Sequence, residues 1–465
     1  MHHLDIVVLA AGKGTRMCSD LPKVLHLLAG KPLLSHVLDT ATSLNPQSIS
    51  IIVGHWAKEV EKACSQYPCQ WVFQKEQLGT AHALLQALPF LHIEGRTLVL
   101  YGDVPLVSKE SLQKLIETTP PEAIGLLTCV MRHPHGLGRI IRDNTQKVIQ
   151  IVEEKDASTA QRQIREINTG IYLLPNNKLE QWLTKIENKN AQKEFYLTDM
   201  IKLAVDENIP IHDLQVANES EILGVNDRVQ LNHAEREFLI RRAREFIMSG
   251  IEIRDPARCD LRGEVTILPG TKIDINVIFE GQVEIGANVT IGPNCYLRDC
   301  KISDNAIVLA NTIIEESILQ EHAHVGPFAR IRPGSEVAAH AHVGNFVELK
   351  KTYLGEGSKA SHLSYLGDAV IGKKVNIGAG TITCNYDGVN KSITEIDDGA
   401  FIGSNTALIA PVKIEKGALI GAGSVITVNA PAQKITLTRS KQVTIEKGVP
   451  KHLKGKSAPA SQDDK

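Results

Sequence analysis

Between residues 332 and 386 the chain sets His362 among cations, tyrosines and amides: Arg332, Lys350, Tyr365, Asn376, Asn385 and Tyr386. An imidazole titrates near neutrality and can take a proton from a nucleophile. Guanidinium and ammonium groups beside it could hold an anionic substrate. Singly, these residues argue less: an outward Arg or Lys is usually a solvated charge, and a lone His is more often structural. A second group opens the chain. The apolar run from Asp5 to Leu9 passes into Ala10-Ala11-Gly12-Lys13-Gly14-Thr15-Arg16-Met17. Small residues after a strand let backbone N–H groups approach a phosphate chain. Arg16, and Lys23 a little later, can add fork and point charges. The run fits neither a Walker A pattern nor G-x-G-x-x-G, and such a turn alone is more often plain structure than a site.

The elements that must position the first loop alternate in type. Strand patterns at 5–9, 49–53, 71–73 and 97–101 are separated by helical patterns at 57–64 and 80–88. This predicts a mostly parallel sheet with helices on both faces, whose ligands bind beyond the carboxyl ends of the strands. Gln74, Gln77, Gly79 and Thr80 fall at one such end and could read a base. Tyr101-Gly102-Asp103 falls at another, although an Asp in a turn is usually a cap or turn residue. Residues 136–175 are less regular; read bare, Gly138 is a strand bend and Glu153 a solvated charge.

The histidine group sits on a different pattern. Val325, Ile331, Val337, Val343 and Leu349 recur every six residues. The beat returns at Ile371, Ile377 and Thr383, and again at Ile402, Leu408, Ile414, Ile420 and Ile426. Two residues before most of these stands a second small or apolar residue: Ala329, Ser335, Ala341, Val347, Val375, Ala400, Val412 and Ala418. Residues two apart share a strand face, whereas residues six apart do not share a helical one. The period predicts a β-helix of very short strands. His362, Tyr365 and Asn376 lie where the beat is interrupted, and Asn385-Tyr386 opens a loop before Ile402. Interruptions of a repeat tend to mark loops on a binding face.

Length and composition bound the rest. The 465 residues are too many for one ordinary core, and the net charge of -2 gives no global field for nucleic acid. Only 4% of residues are aromatic, which suits a prism filled by Ile, Val and Ala. There is no long apolar run and no signal-like start, so a cytoplasmic chain with no membrane partner is expected. Eight cysteines without a C-x-x-C pair argue against a disulfide framework or zinc site; Cys295, two before Leu297, reads as core filling. The expected division is 1–227, an exposed linker helix over 228–249 with Val229, Ala234, Phe238, Ala243 and Phe246, a β-helix over 250–453, and a disordered tail over 454–465.

The hexads resemble those of the left-handed parallel β-helix acyltransferases, in which three hexads make one triangular coil; the left hand is implied by that resemblance. The run from Leu9 to Met17, with Leu21-Pro22-Lys23, resembles the signature of the sugar-1-phosphate nucleotidylyltransferases. It implies a Rossmann-like domain in which Leu9, Ala10, Ala11 and Gly12 wrap UTP. Arg16 would lie on the phosphates and Lys23 near the reacting phosphoryl group. Asp103 and Asn226 would hold Mg²⁺, and Gly138, Glu153 and Asn168 the sugar phosphate.

Through Gly344–Lys351, His362–Asp368 and Asn376–Asp387, nearly the whole chain resembles the bifunctional N-acetylglucosamine-1-phosphate uridylyltransferase/glucosamine-1-phosphate acetyltransferase family. That implies UDP-N-acetylglucosamine made for cell-wall precursors, with acetyl-CoA, UTP and the aminosugar-1-phosphate as substrates. Arg332, Lys350, Tyr365 and Asn376 would hold the sugar phosphate, and His362 would be the base, with Glu348 supporting it. Asn385 and Ser404 would position the amine and the oxyanion. Ala379, Tyr386, Ala422 and Arg439 would line the acetyl-CoA site. The family is a homotrimer with acetyl-transfer sites between neighbouring prisms. The alternatives are a nucleotidylyltransferase with a non-catalytic regulatory β-helix, which would lack His362 and its cations, and a scaffold that has lost Arg16, Lys23 or Asp103.

Overall fold

The computed structural model describes residues 3–12 and 14–444; Lys13 and the tail from Lys454 lie outside the described residues. The chain packs as two compact units, Met1–Thr266 with Asp274–Val283, and Ile267–Ile273 with Glu284–Lys465. By packing, the helix Arg228–Met248, the chain after it up to Thr266, and Asp274–Val283 thus fall with the first unit.

The first unit is built on a nine-stranded sheet whose main path runs Ile211–Gln215, Ile124–Val130, Glu166–Pro175, Arg96–Tyr101, Leu4–Leu9, Ser48–Val53, Gln70–Phe73. All neighbours on this path are parallel except Glu166–Pro175, which runs against both of its own. The central strand is apolar on both sides because both faces are covered. Ile6 and Val8 pack with Leu34, Val37 and Leu38 of the helix Leu33–Ser43. Val7 and Leu9 pack with Ala81 and Leu84 of the helix Thr80–Ala87. The stretch 136–175 is more regular than its sequence suggests: it holds Arg139–Arg142, Val148–Val152 and the ten-residue strand Glu166–Pro175.

The helix Arg228–Met248 is less exposed than expected. Ala234, Leu239 and Ala243 are buried and Phe238 is half-buried, while Val229 faces solvent.

The second unit is a parallel β-helix. Three ladders of inward residues run its length. One is Val325, Val343, Ala360, Ile377, Ile402, Ile420. The second includes Ile314, Ile331, Leu349 and Leu366. The third is Leu319, Val337, Leu354, Ile371, Ile396, Ile414. Three ladders mean three faces, and every residue of the sixfold beat is buried, as are the small residues two before each. Cys295 is buried inside the column as well.

The beat between Leu349 and Ile371 is not broken. Leu354, Ala360 and Leu366 continue it, with steps of five residues in place of six at Leu349–Leu354 and Leu366–Ile371. The one true insertion in this region lies between Thr383 and Leu408, where the loop from Asn385 to Ile393 lengthens the coil. Leu349→Ala, at the middle of a ladder, should cost about 2–5 kcal/mol. Val370→Ala, half-exposed on a neighbouring coil, should cost well under about 1 kcal/mol. Urea unfolding of the two variants checks this.

Candidate active sites

In the first unit four parallel strands end at one place. Leu9, Val53, Phe73 and Tyr101 are their last residues, and the chain beyond them lines a cavity of about 490 Å³. Leu9, Ala10, Ala11, Gly12, Lys23, Gln74, Gln77, Gly79, Thr80, Tyr101, Asp103 and Asn226 all line it. Val24, Ala83 and Glu194 complete the wall, and sequence reading had singled out none of them. Two glycines are required by shape. Gly14 has φ +64°, and a Cβ there would run into the Lys23 side chain. Gly79 has φ +118° and packs against the Phe195 backbone, where a Cβ would lie 2.7 Å from the amide nitrogen. That contact, with the bonds Ala81 N–Phe195 O (2.9 Å) and Phe195 N–Leu78 O (2.8 Å), docks the 190–198 loop on the turn Leu78–Thr80.

The charged centre of the cavity is compact. The Lys23 ammonium is ion-paired with Asp103 and donates to Asn226 Oδ1 at 3.2 Å. The Val225 amide donates to the Asp103 carbonyl at 2.8 Å, which brings the two turns together although they lie far apart in sequence. One carboxylate and one amide oxygen converging on a single cation form a set suited to Mg²⁺, which favours oxygen ligands and keeps most of its waters. Among the described residues no group of three or more His, Cys, Asp or Glu could hold a metal ion.

Five expected residues stand off the cavity wall. Arg16 is exposed on the short turn Thr15–Met17. Gly102 lies behind the wall, its amide bonded to the Leu9 carbonyl at 3.0 Å. Gly138, Glu153 and Asn168 form their own cluster. Asn168 N donates to Gly138 O at 2.9 Å, and a Cβ on Gly138 would lie 3.3 Å from a Glu153 oxygen. The Asn168 side chain is occupied at both ends, donating to the Tyr172 hydroxyl at 2.7 Å and accepting from the Gly170 amide at 3.0 Å.

Glu153 is not the solvated charge expected from sequence. Burial pushes its carboxyl up, partly offset by the Thr198 hydroxyl. Burial, then the Glu153 and Asp103 carboxylates, raise the Tyr101 phenol as well, so that it stays a neutral donor. Because Glu153 ionises at higher pH folded than unfolded, its contribution to stability is full in acid and is lost as pH rises through the folded value. Glu153→Gln should therefore raise the melting temperature relative to the parent at pH 7, and the gap should close near pH 4, about the unfolded value.

In the second unit the outward residues follow the ladders. Arg332 lies beside Lys350, and Glu348 beside Tyr365, on adjacent strands of one face. Such strands lie about 4.8 Å apart. Asn376 lies beside Lys359 on the next face, and His362 stands exposed at the corner between them. Two details differ from expectation. Glu348 is held by Arg332 at 2.7 Å, so it serves the guanidinium. The partner of His362 is Asn345, one coil earlier, whose Oδ1 lies 2.7 Å from Nδ1. An amide oxygen only accepts, so Nδ1 carries the hydrogen and Nε2 keeps its lone pair. Ser364 Oγ anchors the His362 carbonyl at 2.9 Å.

Ala379, Ser404 and Ala422 stack at one edge of the column, through Asn405 N–Ala379 O at 2.7 Å and Gly423 N–Ser404 O at 2.8 Å. Arg439 joins them: a Cβ on the neighbouring Gly421 would lie 3.6 Å from its guanidinium. Asn385 is buried and bonded to Asp368, at the foot of the inserted loop. Tyr386 is exposed, its hydroxyl turned back to Gly388 O at 2.5 Å.

Comparison with known proteins finds matches in both parts of the chain. Residues 6–166 match the MobA-like NTP transferase domain, 261–335 the GMPPB C-terminal domain, and 393–428 the hexapeptide repeat of succinyl-transferase. The bifunctional protein GlmU of Marinobacter nauticus is 49% identical over 445 residues, covering 96% of this chain and 98% of that one. Its counterpart in Stutzerimonas stutzeri is 51% identical, covering 95% and 98%, and that of Acinetobacter baylyi 51%, covering 94% and 96%. With the likeness running through nearly the full length, the chain belongs to the GlmU family of bifunctional uridylyltransferase/acetyltransferases.

Proposed function

We propose that the column acetylates glucosamine-1-phosphate with acetyl-CoA and that the nucleotide unit then joins the product to UMP from UTP, giving UDP-N-acetylglucosamine and pyrophosphate. The observation that carries the first step is the Asn345–His362 bond. The substrate's 2-ammonium must lose a proton before nitrogen can attack the thioester carbon. The free Nε2 lone pair of His362 takes it, as the tautomer requires. Arg332, paired with Glu348, and Lys350 beside it hold the sugar phosphate by charge, with Tyr365 and Asn376 on the neighbouring coils. Asn385 and Ser404 help position the amine and the oxyanion, and the edge Ala379–Ala422 with Tyr386 and Arg439 takes the CoA. A purely regulatory column has no use for this arrangement.

In the second reaction a phosphate oxygen of N-acetylglucosamine-1-phosphate attacks the α-phosphorus of UTP, and pyrophosphate leaves. The nucleophile is already an anion, so alignment and neutralisation replace a general base. Gln74, Gln77 and the Gly79 backbone hold the base, the Leu9–Gly12 backbone and Arg16 the phosphates, and Gly138, Glu153 and Asn168 the sugar. Lys23 supplies positive charge at the reacting centre. Asp103 and Asn226 would hold Mg²⁺, which offsets phosphate charge when bound. A cytoplasmic homotrimer with acetyl-transfer sites shared between columns completes the reading; no helix among the described residues is long and apolar enough to cross a membrane.

His362→Ala should lower acetyl transfer by roughly 10²–10⁴-fold and leave uridylyl transfer unchanged; CoA release and pyrophosphate release measure the two. Asp103→Ala should do the reverse. Loss of both activities in either variant would overturn the division of labour. Light scattering should report three chains, and a monomer with full acetyl transfer would sink the shared site.

A further inference from the structure

The helix Arg228–Met248 has the sequence of a spacer, yet both turns that carry the proposed metal ligands are tied to it. At its start, Asp227 caps the helix by accepting from Gln230 N at 2.8 Å. The Gln230 side chain then reaches back, and its Oε1 accepts from the Asn226 amide at 2.8 Å. Three turns on, Arg241 donates to the Leu106 carbonyl at 2.9 Å, across the foot of the turn that begins at Asp103. Between these points Glu235 accepts from the Ala29 amide at 2.9 Å, and Ala234, Leu239 and Ala243 are buried.

We infer that Gln230 and Arg241 are positioning residues of the uridylyl site, and that the helix is a splint fixing the distance between Asp103 and Asn226. This rests on the reading of those two residues as the Mg²⁺ ligands. Asp103 and Asn226 both sit on loops, and a hard cation tolerates little drift of its oxygens, with Mg–O near about 2.1 Å. Loops drift; a helix tied at both turns does not. Gln230 and Arg241 lie eleven residues apart, which is about 16 Å of helix at 1.5 Å per residue. The two oxygens already converge on the Lys23 ammonium, so the distance the splint holds is the one a single cation needs. Neither residue lines the cavity, and their effect passes through the ligands they hold.

The test is Mn²⁺ affinity of the full-length protein with UTP, followed by electron paramagnetic resonance, alongside the Mg²⁺ dependence of pyrophosphate release. Arg241→Met and Gln230→Ala should each bind Mn²⁺ more weakly, by up to ~10-fold as for lost support of a metal ligand. Their uridylyl rates should recover at high Mg²⁺, with acetyl transfer unchanged. Arg241→Lys, which keeps one donor, should restore part of the affinity, and Arg244→Ala, exposed on the same helix, should change nothing. If Asp103→Ala loses Mn²⁺ while both helix variants keep parental affinity, the splint is wrong and the ligand reading stands. If Asp103→Ala also keeps parental affinity, the ligand reading falls and the splint with it. A lower melting temperature with unchanged Mn²⁺ affinity would likewise reduce Arg241 to a stability role.

Discussion

In the second unit each inward aliphatic side chain stands on the one a coil earlier, Val343 on Val325 and Ala360 on Val343. Packing at solid-like density gives such a stack little freedom to slip. Since strand residues alternate between faces, the stack fixes the register of every outward residue too. Arg332 meets Lys350, Glu348 meets Tyr365, and Asn345 meets His362 for this reason alone. The site needs no loop to bring distant residues together, because the repeat has already done so. Only Asn385 and Tyr386 depend on an insertion, and Asn385 is pinned at its foot to Asp368.

The nucleotide unit solves the same problem by convergence. Its strands end together at one edge of the sheet, and the residues just past each end become neighbours whatever their separation in sequence. Backbone bonds from Ala10 to Ile52 (2.9 Å), Gln74 to Val53 (2.8 Å) and Gly102 to Leu9 (3.0 Å) carry the strand pairing one step beyond the sheet. The loops therefore leave from a rigid line. Asp103 leaves directly from one such exit, whereas Lys23 lies on the short turn Lys23–Leu25 and Asn226 just before the helix Arg228–Met248.

Much of this was legible in sequence, and what was not has physical causes. The sixfold beat marked the column because burial acts on each inward residue separately. The steps of five at Leu354 and Ile371 looked like a break because a strict period does not see a corner that is one residue shorter. The Asn345–His362 pair was hidden because coil length, and so the neighbour one coil away, is known only once the corners are. Glu348 is closer to His362 in sequence terms than to Arg332, but register gives it to Arg332. Asn226 could not be set beside Asp103 because that contact depends on the order of strands in a sheet. The burial of Glu153 is likewise tertiary, since a charged residue after a strand carries no local sign of what will cover it.

The two sites also differ in chemistry in a way their side chains reflect. An amine is protonated near neutral pH and must be stripped of a proton before it can attack, and the column presents an imidazole whose tautomer is fixed by Asn345. A phosphate is already an anion, and its difficulty is repulsion from a second, more highly charged phosphate chain. The cavity that would take it is lined by glycine and alanine backbone, amides, one lysine and an aspartate paired with that lysine, with no histidine in its wall. Glu194, the other acid there, sits on the docked 190–198 loop, next to the Phe195 that packs on Gly79. The carboxylate that does sit at the Lys23 centre, Asp103, is neutralised by that lysine, so it adds no net negative charge where charge already limits approach. In the proposed chemistry the phosphate nucleophile calls for alignment and neutralisation, and the amine for a base.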